Sequence, residues 1–286
     1  MDKSILITGC STGIGLCAAE TLHKKGYRVF ATARKESDVA KLQSLGLESL
    51  QLDVNSSDSI RSALNHVLDK TGGTLDALFN NAGFVQAGAV EDLTRDMMRE
   101  QFETNVFGPM ELTNLVIPIM RKQGYGRIIQ NTSILGIVAM PLRGAYNASK
   151  FALEGFSQTL RQELRGTGIF VSIIAPGPVH SELRKNALTH YEENLSTRNT
   201  IHRDLYQQME TYFFKLPSSK DRYAAEPDTV VKKLLLALES KNPKAHYYVT
   251  FFAHLFAFFR RILPDATLDA LMAKINRTEM KQGSNP

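Results

Sequence analysis

Residues 5–15 read ILITGCSTGIG, an apolar run followed by a glycine turn with the spacing G-x-x-x-G-x-G. Ile14, Ala18 and Leu22 then continue at the spacing of an amphipathic helix. Glycines let the backbone of such a turn pass close to a pyrophosphate, and the free amides at the helix N-terminus stabilise the negative charge. The stretch therefore predicts a dinucleotide site between the first strand and the first helix, with an ordinary turn as the alternative interpretation.

The alternation of strand and helix continues along the chain. Short apolar, β-rich runs recur between segments with apolar residues three and four apart. This alternation indicates a parallel sheet with helices on both faces. We therefore expect an α/β protein with a single-domain Rossmann fold and a doubly wound parallel sheet of seven strands. The predicted strands are Ile5–Thr8, Arg28–Thr32, Ser49–Leu52, Leu75–Phe79, Arg127–Thr132, Ile169–Ala175 and Ala245–Thr250.

Two segments interrupt this alternation. Residues 180–226 are polar and irregular with scattered aromatic side chains, and we interpret them as a substrate-loop insert within a catalytic domain of residues 1–250. Residues 251–286 are interpreted as a C-terminal helical extension of the same domain, in which an aromatic stretch precedes a short amphipathic helix.

The composition excludes several classes of protein. The 286 residues are 43% hydrophobic, which suffices for one sizeable α/β core. The net charge of +5 is scattered over the chain, so nucleic acid is not an expected partner. Cys10 and Cys17 are the only cysteines, and no apolar leader precedes the first strand. We therefore expect a protein of the reducing cytoplasm.

The second predicted strand is followed by Ala33 and Arg34, at the position where a dinucleotide fold contacts the adenosine ribose. An acidic residue here would bind the ribose 2′-hydroxyl and repel a 2′-phosphate. The planar guanidinium of Arg34 instead suits phosphate oxygens. We therefore predict NADP(H) rather than NAD(H) as the cofactor, with a solvated arginine at a strand end as the alternative.

Two further segments follow strand ends, at the edge where open parallel sheets bind ligands. Asp53 and Val54 follow the third strand, and Asn80-Asn81-Ala82-Gly83 follows the fourth. We expect Asp53 to contact the adenine. The alternative is that Asp53 caps the next helix, for which Ser57 is an equally good candidate.

Tyr146 and Lys150 are four residues apart in a segment whose apolar spacing predicts a helix, so their side chains share one face. A free tyrosine has a pKa near about 10, and a neighbouring ammonium would lower that pKa toward neutrality. Ser133 follows the fifth strand, where its hydroxyl could hold a substrate oxygen. These residues predict a proton-transfer site with Tyr146 as the acid/base. On its own, Tyr-x-x-x-Lys would be an ordinary surface pair on a helix.

In chain order, these motifs resemble those of the short-chain dehydrogenases/reductases over nearly all of residues 4–250. The resemblance rests on the glycine turn, Asn81-Ala82-Gly83, Asn105, Ser133, the Tyr146 and Lys150 pair, and Pro176-Gly177. The glycine turn and the Ala31–Arg34 ending are similar to those of the hydroxysteroid and retinol dehydrogenase branch and of related bacterial aldehyde reductases. Thr132 precedes Ser133 where the family often has paired serines, and Ser181 stands where threonine is frequent.

The resemblance implies roles for individual residues. Asn105 corresponds to the asparagine that anchors a water of the proton relay, and Ser133 to the serine that orients the substrate. Lys150 corresponds to the lysine that lowers the tyrosine pKa and binds the nicotinamide ribose. The implied cofactor contacts come from Gly9, Ser11, Thr12, Gly13, Ile14, Gly15, Arg34, Asp53, Val54, Asn81, Ala82, Gly83, Tyr146, Lys150, Pro176, Gly177, Val179 and Ser181.

We therefore expect an NADP(H)-dependent oxidoreductase that transfers a hydride between the nicotinamide and a hydrophobic aldehyde, ketone or alcohol, with reduction as the favoured direction. A homodimer or homotetramer is expected. The alternative is a protein of the same fold that senses NADPH or a lipid without catalysis. No metal site is predicted, because the seven histidines lack ligand spacing. His180, His190 and His202 are interpreted as loop histidines, because no orienting carboxylate can be assigned to them from the sequence.

The tail has three possible roles. Residues 247–259 are apolar but interrupted by His254 and shorter than the roughly 20 residues that cross a bilayer. Arg260 and Arg261 follow, and apolar residues then continue at helical spacing. The tail could pack over the substrate pocket, form a subunit interface or lie on an anionic membrane. We expect pocket or subunit packing, because an exposed aromatic face invites aggregation, and place weak peripheral membrane contact second.

Overall fold

The computed structural model describes residues 3–214 and 224–281. Its strands are β1 (Ser4–Ile7), β2 (Arg28–Ala33), β3 (Glu48–Gln51), β4 (Ala77–Asn80), β5 (Gly126–Asn131), β6 (Ile169–Pro176) and β7 (His246–Val249). They pair in parallel in the order β3-β2-β1-β4-β5-β6-β7. The predicted seven-stranded parallel sheet and single-domain Rossmann fold are confirmed.

Helices surround the sheet. They are α1 (Gly13–Lys24), α2 (Glu36–Ser44), α3 (Ser57–Thr71), α4 (Arg95–Phe102), α5 (Gly108–Gln123), α6 (Gly144–Glu163), α7 (Leu183–Asn194), α8 (Arg203–Gln208), α9 (Pro227–Glu239), α10 (Phe251–Ile262) and α11 (Asp265–Lys281). A π-helical turn, Glu103–Phe107, joins α4 to α5, and a 3₁₀ turn, Ile134–Gly136, follows β5.

Alternation along the strands explains the layers. Ile5 and Ile7 of β1 face α1, α2 and α9, whereas Leu6 between them faces α3, α5 and α6. All three side chains are fully buried, as expected for a parallel strand that is covered on both faces. The strand order reverses between β1 and β4. The carboxyl ends of these strands therefore diverge into helices on opposite faces, which leaves a crevice for a ligand.

The described part of the insert contains two helices, α7 and α8, which the irregular sequence did not predict. Ala187, Tyr191 and Leu195 recur at four-residue spacing along α7 and are buried. The fully buried stripe is narrow, so its polar neighbours concealed the helical period. The stripe packs with Tyr206 and residues at the end of β4 into one cluster that also contains Tyr146. Residues 215–223 of the insert lie outside the described residues.

The tail forms two helices that pack beside the 3₁₀ turn after β5. Ala253 and Phe256 of α10 join Leu268 and Met272 of α11 in an apolar cluster with residues 134–140. The aromatic stretch is thus itself a helix, where we expected only the segment after it to be helical. In addition, Asn276 of α11 accepts a hydrogen bond of 3.0 Å from Arg143. Over residues 3–214 and 224–281, no helix is long and apolar enough to cross a bilayer.

The inner face of α10 should carry most of the tail's contribution to stability. Replacing the buried Phe256 by Ala leaves a cavity in the cluster with Ile134 and Val138, and we expect a loss of about 3 kcal/mol in the free energy of unfolding. Phe258 on the same helix is exposed, so Phe258→Ala should change that free energy by less than about 0.5 kcal/mol. Urea denaturation of both variants measures the difference, and equal losses would contradict the packing described.

Candidate active site

The glycine turn holds two predicted segments in close contact. Gly9 has φ +72°, and a Cβ added at this position would lie 2.8 Å from the Cα of Ala82. A Cβ at Gly15 would lie 2.1 Å from the carbonyl oxygen of Gly9 and 2.7 Å from the Nδ2 of Asn81. Larger residues cannot occupy these positions without moving backbone. The turn and the segment after β4 therefore meet at the crevice, as the sequence predicts.

Thr8 and Asn81 lock this contact. The Thr8 hydroxyl accepts hydrogen bonds from the amides of Asn81 (2.9 Å) and Ala82 (3.0 Å). The Asn81 side chain donates to the carbonyls of Thr8 (3.0 Å) and Gly9 (3.1 Å). Thr8 was absent from our predicted site. Its place between the last apolar residue of β1 and Gly9 is the signal that could have identified it.

The N-terminus of α1 is open to an anion. Its N-cap residue Thr12 makes no side-chain capping bond, and no acidic residue lies in the first turn. Ser11 and Thr12 are exposed, and the amides of Gly13, Ile14 and Gly15 begin the helix. A helix start without a capping acceptor presents donors and a positive dipole end. The residues present thus fit the pyrophosphate of a dinucleotide.

The segment after β6 reaches the same turn. A Cβ at Gly13, which has φ +58°, would lie 3.2 Å from the Cβ of Ser181. Pro176 ends β6, the Gly177 amide donates to the carbonyl of Val249 (3.1 Å), and Val179 packs against the α1 side of the core. Among the described residues, the side chain of Ser181 makes hydrogen bonds of 3.4 Å to Val179 and Leu183. Its hydroxyl is therefore weakly held and suited to a ligand.

Arg34 and Asp53 lie at the ends of β2 and β3. Arg34 is exposed, its carbonyl accepts from Gln51 (3.0 Å), and it forms no ion pair with any described residue. Asp53 accepts from the amide of Asn55 (3.0 Å), so its carboxylate holds the turn before α3. The N-cap of α3 is Ser56, not Ser57, because the Ser56 hydroxyl accepts from Ser59. Contact between Asp53 and an adenine stays a prediction.

Val54 and Gly83 pack closely against the elements that border the crevice. A Cβ at Gly108 would lie 2.3 Å from the carbonyl oxygen of Val54, so α5 begins directly against this loop. A Cβ at Gly83 would lie 3.0 Å from the Oδ1 of Asn105 and 3.8 Å from the Nζ of Lys150. Gly83 therefore makes room for two residues of the predicted proton-transfer site.

Ser133, Tyr146 and Lys150 lie together at the carboxyl end of β5. All three are buried. The Ser133 hydroxyl makes a hydrogen bond to the Tyr146 phenol and accepts from the amide of Leu135 (3.1 Å). The Lys150 Nζ lies 5.6 Å from the Tyr146 ring centroid and donates to the carbonyl of Asn131 (2.8 Å). Helix α6 thus presents both side chains to the end of the sheet, as the four-residue spacing predicts.

The expected lowering of the Tyr146 pKa is not found in the protein alone. Burial raises the pKa of Tyr146 to about 12, and only the hydrogen bond from Ser133 acts in the opposite direction. Burial also lowers the pKa of Lys150 to about 8, opposed by the negative charge of Glu154. Our prediction counted the attraction between the two groups and omitted the loss of water around each of them.

Asn105 lies in the π-helical turn between α4 and α5. Its Nδ2 donates to the carbonyl of Phe84 and the hydroxyl of Ser149 (both 3.1 Å), and its Oδ1 accepts from the Phe84 amide (3.1 Å). The Asn105 side chain therefore links the segment after β4 to α6 by hydrogen bonds. Such turns break the regular helical hydrogen-bond ladder and recur at functional sites. The water-anchoring role of Asn105 stays a prediction.

Glu154 extends the site by one helical turn and was missed by our sequence reasoning. Its carboxylate accepts from the Thr132 hydroxyl (2.8 Å) and from Gln158 (3.2 Å), and lies 2.9 Å from the Nε2 of His246. Glu154 is buried and follows Lys150 by four residues on α6. That spacing was visible in the sequence. The contact with His246 was not, because His246 is 92 residues away.

The structure supplies the carboxylate neighbours of the insert histidines that could not be assigned from the sequence. His180 is 3.7 Å from Glu226, His190 is 3.8 Å from Glu100, and His202 pairs with Glu91. These glutamates are exposed, so the pairs contribute little to stability. Within the described ranges, no three His, Cys, Asp or Glu side chains gather as metal ligands.

Comparison with known proteins agrees with this geometry. The model of the family described as short chain dehydrogenase matches residues 3–192. The chain belongs to the short-chain dehydrogenase/reductase family. It is 37% identical to the uncharacterized oxidoreductase YbbO of Escherichia coli, over 95% of this chain and 94% of the relative. Human retinol dehydrogenase 8 is 34% identical over 84% of this chain and 79% of its own length. Human 17-beta-hydroxysteroid dehydrogenase type 1 is 33% identical, over 86% and 77%.

Solved structures show the same fold. A short-chain dehydrogenase from Streptomyces avermitilis superposes with a TM-score of 0.76 at 27% identity, over 99% of this chain and 98% of that one. Actinorhodin polyketide ketoreductase with NADPH superposes with a TM-score of 0.69 at 27% identity, over 87% of this chain and 96% of that one. A Burkholderia phymatum enzyme in complex with NAD gives 0.75 at 22% identity, over 91% and 92%, which supports the fold alone. This chain is accordingly an oxidoreductase of the family, related to its hydroxysteroid and retinol branch.

The charge of Glu154 should set the pH above which activity falls, because it favours the ammonium form of Lys150. With a pKa of about 8, Lys150 is an ammonium below that pH and neutral above it. We therefore expect kcat/KM for the cofactor, which reports ionisations of the free protein, to fall as pH rises through about 8. Glu154→Gln removes the charge that favours the ammonium. The fall should then begin at lower pH, and kcat/KM at pH 8 should drop about fivefold for a shift of about one pKa unit.

Gln158→Met provides the control, because it removes a neutral neighbour of the same carboxylate. Its pH profile should match that of the parent protein. A profile of Glu154→Gln that keeps its position and loses only amplitude would contradict an electrostatic role for Glu154.

Proposed function

We propose that this protein is an NADP(H)-dependent carbonyl reductase or alcohol dehydrogenase for hydrophobic substrates, with Tyr146 as the acid/base. The observation that carries the proposal is the buried cluster of Ser133, Tyr146 and Lys150 beside an uncapped helix N-terminus. An acid, a hydroxyl donor and an ammonium at the end of a dinucleotide crevice are the groups that proton transfer during hydride transfer requires.

Each side chain has a separate task in reduction. When bound, the nicotinamide supplies the hydride to the carbonyl carbon. Ser133 donates a hydrogen bond that orients the carbonyl oxygen, and Tyr146 donates its phenolic proton to that oxygen as the alkoxide forms. Lys150 would bind the nicotinamide ribose and stabilise the tyrosinate that remains. Oxidation of the alcohol uses the same groups in reverse.

The surroundings of Tyr146 favour an apolar substrate. The ring shares a cluster with Val85 and Leu142 of the main domain and with Tyr191 and Tyr206 of the insert. Leu135, two residues after Ser133, packs against this cluster and against the tail cluster. Two relatives are named for retinol and a hydroxysteroid, both largely hydrocarbon. We infer a hydrophobic aldehyde, ketone or alcohol as the substrate class.

Arg34 supports the assignment of NADP(H). It is exposed at the end of β2, and the described part of the chain offers it no carboxylate partner. Its guanidinium is therefore free for a 2′-phosphate. Among the solved structures, one is named with NADPH and another with NAD, so the family fold accepts either cofactor.

Tyr146→Phe tests the acid directly. Removing the hydroxyl while keeping the ring should lower kcat about 100- to 10,000-fold, the range for loss of a general acid, whereas NADPH binding measured by fluorescence titration should persist. Tyr191→Phe is the matched control, because it removes a hydroxyl from the same cluster that bonds to Glu210. Its kcat on a panel of hydrophobic aldehydes should change only a few-fold. If the parent protein binds NADPH without turnover, the alternative is favoured, in which a protein of this fold senses NADPH or a lipid without catalysis.

Lys150→Ala should combine two losses. We expect turnover to fall and the NADPH dissociation constant to rise, because one ammonium serves both the tyrosinate and the ribose. Titration of the cofactor separates the two effects, and unchanged affinity would exclude the ribose contact.

Arg34→Asp tests the choice of cofactor. A carboxylate at this position repels a 2′-phosphate and can bind a ribose hydroxyl, so the ratio of kcat/KM for NADPH over NADH should fall at least tenfold. Lys35→Asp is the control, since it places the same charge one residue further along the chain. A larger fall in Lys35→Asp than in Arg34→Asp would show that Arg34 is not the discriminating residue.

A further inference from the structure

The outer face of α10 is apolar and exposed. Phe251, Phe258 and Ile262 are 73%, 56% and 55% exposed and lie on one side of the helix, opposite the buried Ala253 and Phe256. The largest exposed apolar patch of a protein is often an interaction surface. We call the side formed by Phe251, Phe258 and Ile262 the α10 face.

A cation and a histidine border the α10 face. Helix α10 contains no acidic residue, and at a helical period His254 and Arg261 fall along one edge of the face. Both are exposed. Arg260 lies on the other side of the helix from the α10 face and pairs with Asp265 (2.7 Å). An aromatic stripe bordered by cations is the pattern of helices that lie in a lipid interface, because rings enter the acyl boundary while cations stay at anionic headgroups.

We infer that the α10 face docks the protein on an anionic phospholipid surface. The three apolar side chains enter the headgroup boundary, and Arg261 contacts lipid phosphates. The overall charge of +5 adds a longer-range attraction to such a surface. Each buried ring contributes transfer free energy, and each cation near the surface adds an attraction that salt weakens.

The exposed area argues against a second copy of the chain as the occupant. At about 200 Å² for each of the two phenylalanines and somewhat less for Ile262, the exposed fractions give roughly 350 Å². A stable protein interface buries about 800 Å² on each partner. A lipid surface has no such minimum area, because partial insertion of a few rings already gives reversible binding.

The position of α10 connects docking with the active site. Its inner face packs on Ile134, the residue after Ser133, and on Val138. A docked protein would therefore hold its apolar pocket close to the bilayer, where hydrophobic carbonyl compounds partition. This link to the substrate rests on the proposed function, whereas docking itself does not.

Co-sedimentation of the full chain with vesicles tests the inference. We expect binding to vesicles that contain phosphatidylglycerol, weaker binding at high salt and little binding to phosphatidylcholine alone. Phe251→Ser and Phe258→Ser should each lower the partition coefficient about tenfold or more, as loss of one buried ring predicts. Arg261→Gln should lower it several-fold and reduce its dependence on salt.

Leu45→Ser is the matched control. Leu45 is 52% exposed and follows α2 beside β3, at the opposite edge of the sheet from β7 and α10. Its replacement should leave vesicle binding unchanged. Failure of the parent protein to bind anionic vesicles would overturn the inference, as would equal losses in Leu45→Ser and Phe258→Ser. A parent dimer that becomes a monomer in Phe258→Ser, without vesicle binding by either form, would identify a second copy as the occupant.

Turnover of a water-soluble aldehyde separates this inference from the proposed function. Phe258→Ser should keep the parent kcat in the absence of vesicles, because its side chain points away from the pocket. Vesicle binding without turnover would contradict the proposed function alone, and turnover without vesicle binding would contradict docking alone.

Discussion

Three consecutive residues at the end of β5 tie the sheet to α6, and the site depends on this connection. The Asn131 carbonyl accepts from Lys150, the Thr132 hydroxyl donates to Glu154, and the Ser133 hydroxyl bonds to Tyr146. Tyr146, Lys150 and Glu154 follow one another at four-residue intervals, so one face of α6 meets one strand end. A shift of either element would disturb all three contacts together.

This connection places opposite charges in the protein interior. Lys150 and Glu154 are both buried, and a buried charge is costly unless it has a partner and hydrogen bonds. The carboxylate is satisfied by Thr132, Gln158 and His246. Lys150 has one described acceptor, the Asn131 carbonyl. Lys150 is therefore the less satisfied of the two ions, and under the proposed function the nicotinamide ribose would supply further oxygens.

Local sequence predicted those features that depend on short-range geometry. The glycine turn, the seven strands and the shared face of Tyr146 and Lys150 each follow from periodicity or spacing over fewer than about 20 residues. Glu154 lies within the same helix, yet its importance comes from His246 on a distant strand. The helices of the insert escaped prediction because their buried stripe is narrow. The raised pKa of Tyr146 escaped it because burial is a property of the complete fold.

The raised pKa of Tyr146 has a consequence for the direction of the reaction. A phenol with a pKa of about 12 keeps its proton throughout the neutral range, which is the form that a general acid needs. Oxidation starts from the tyrosinate, and in the protein alone burial opposes that form. A bound cofactor that keeps Lys150 charged would have to offset this cost before oxidation could begin. If Tyr146 is the acid, as proposed, reduction starts from the protonated form that burial favours, whereas the same high pKa weakens the phenol as a proton donor.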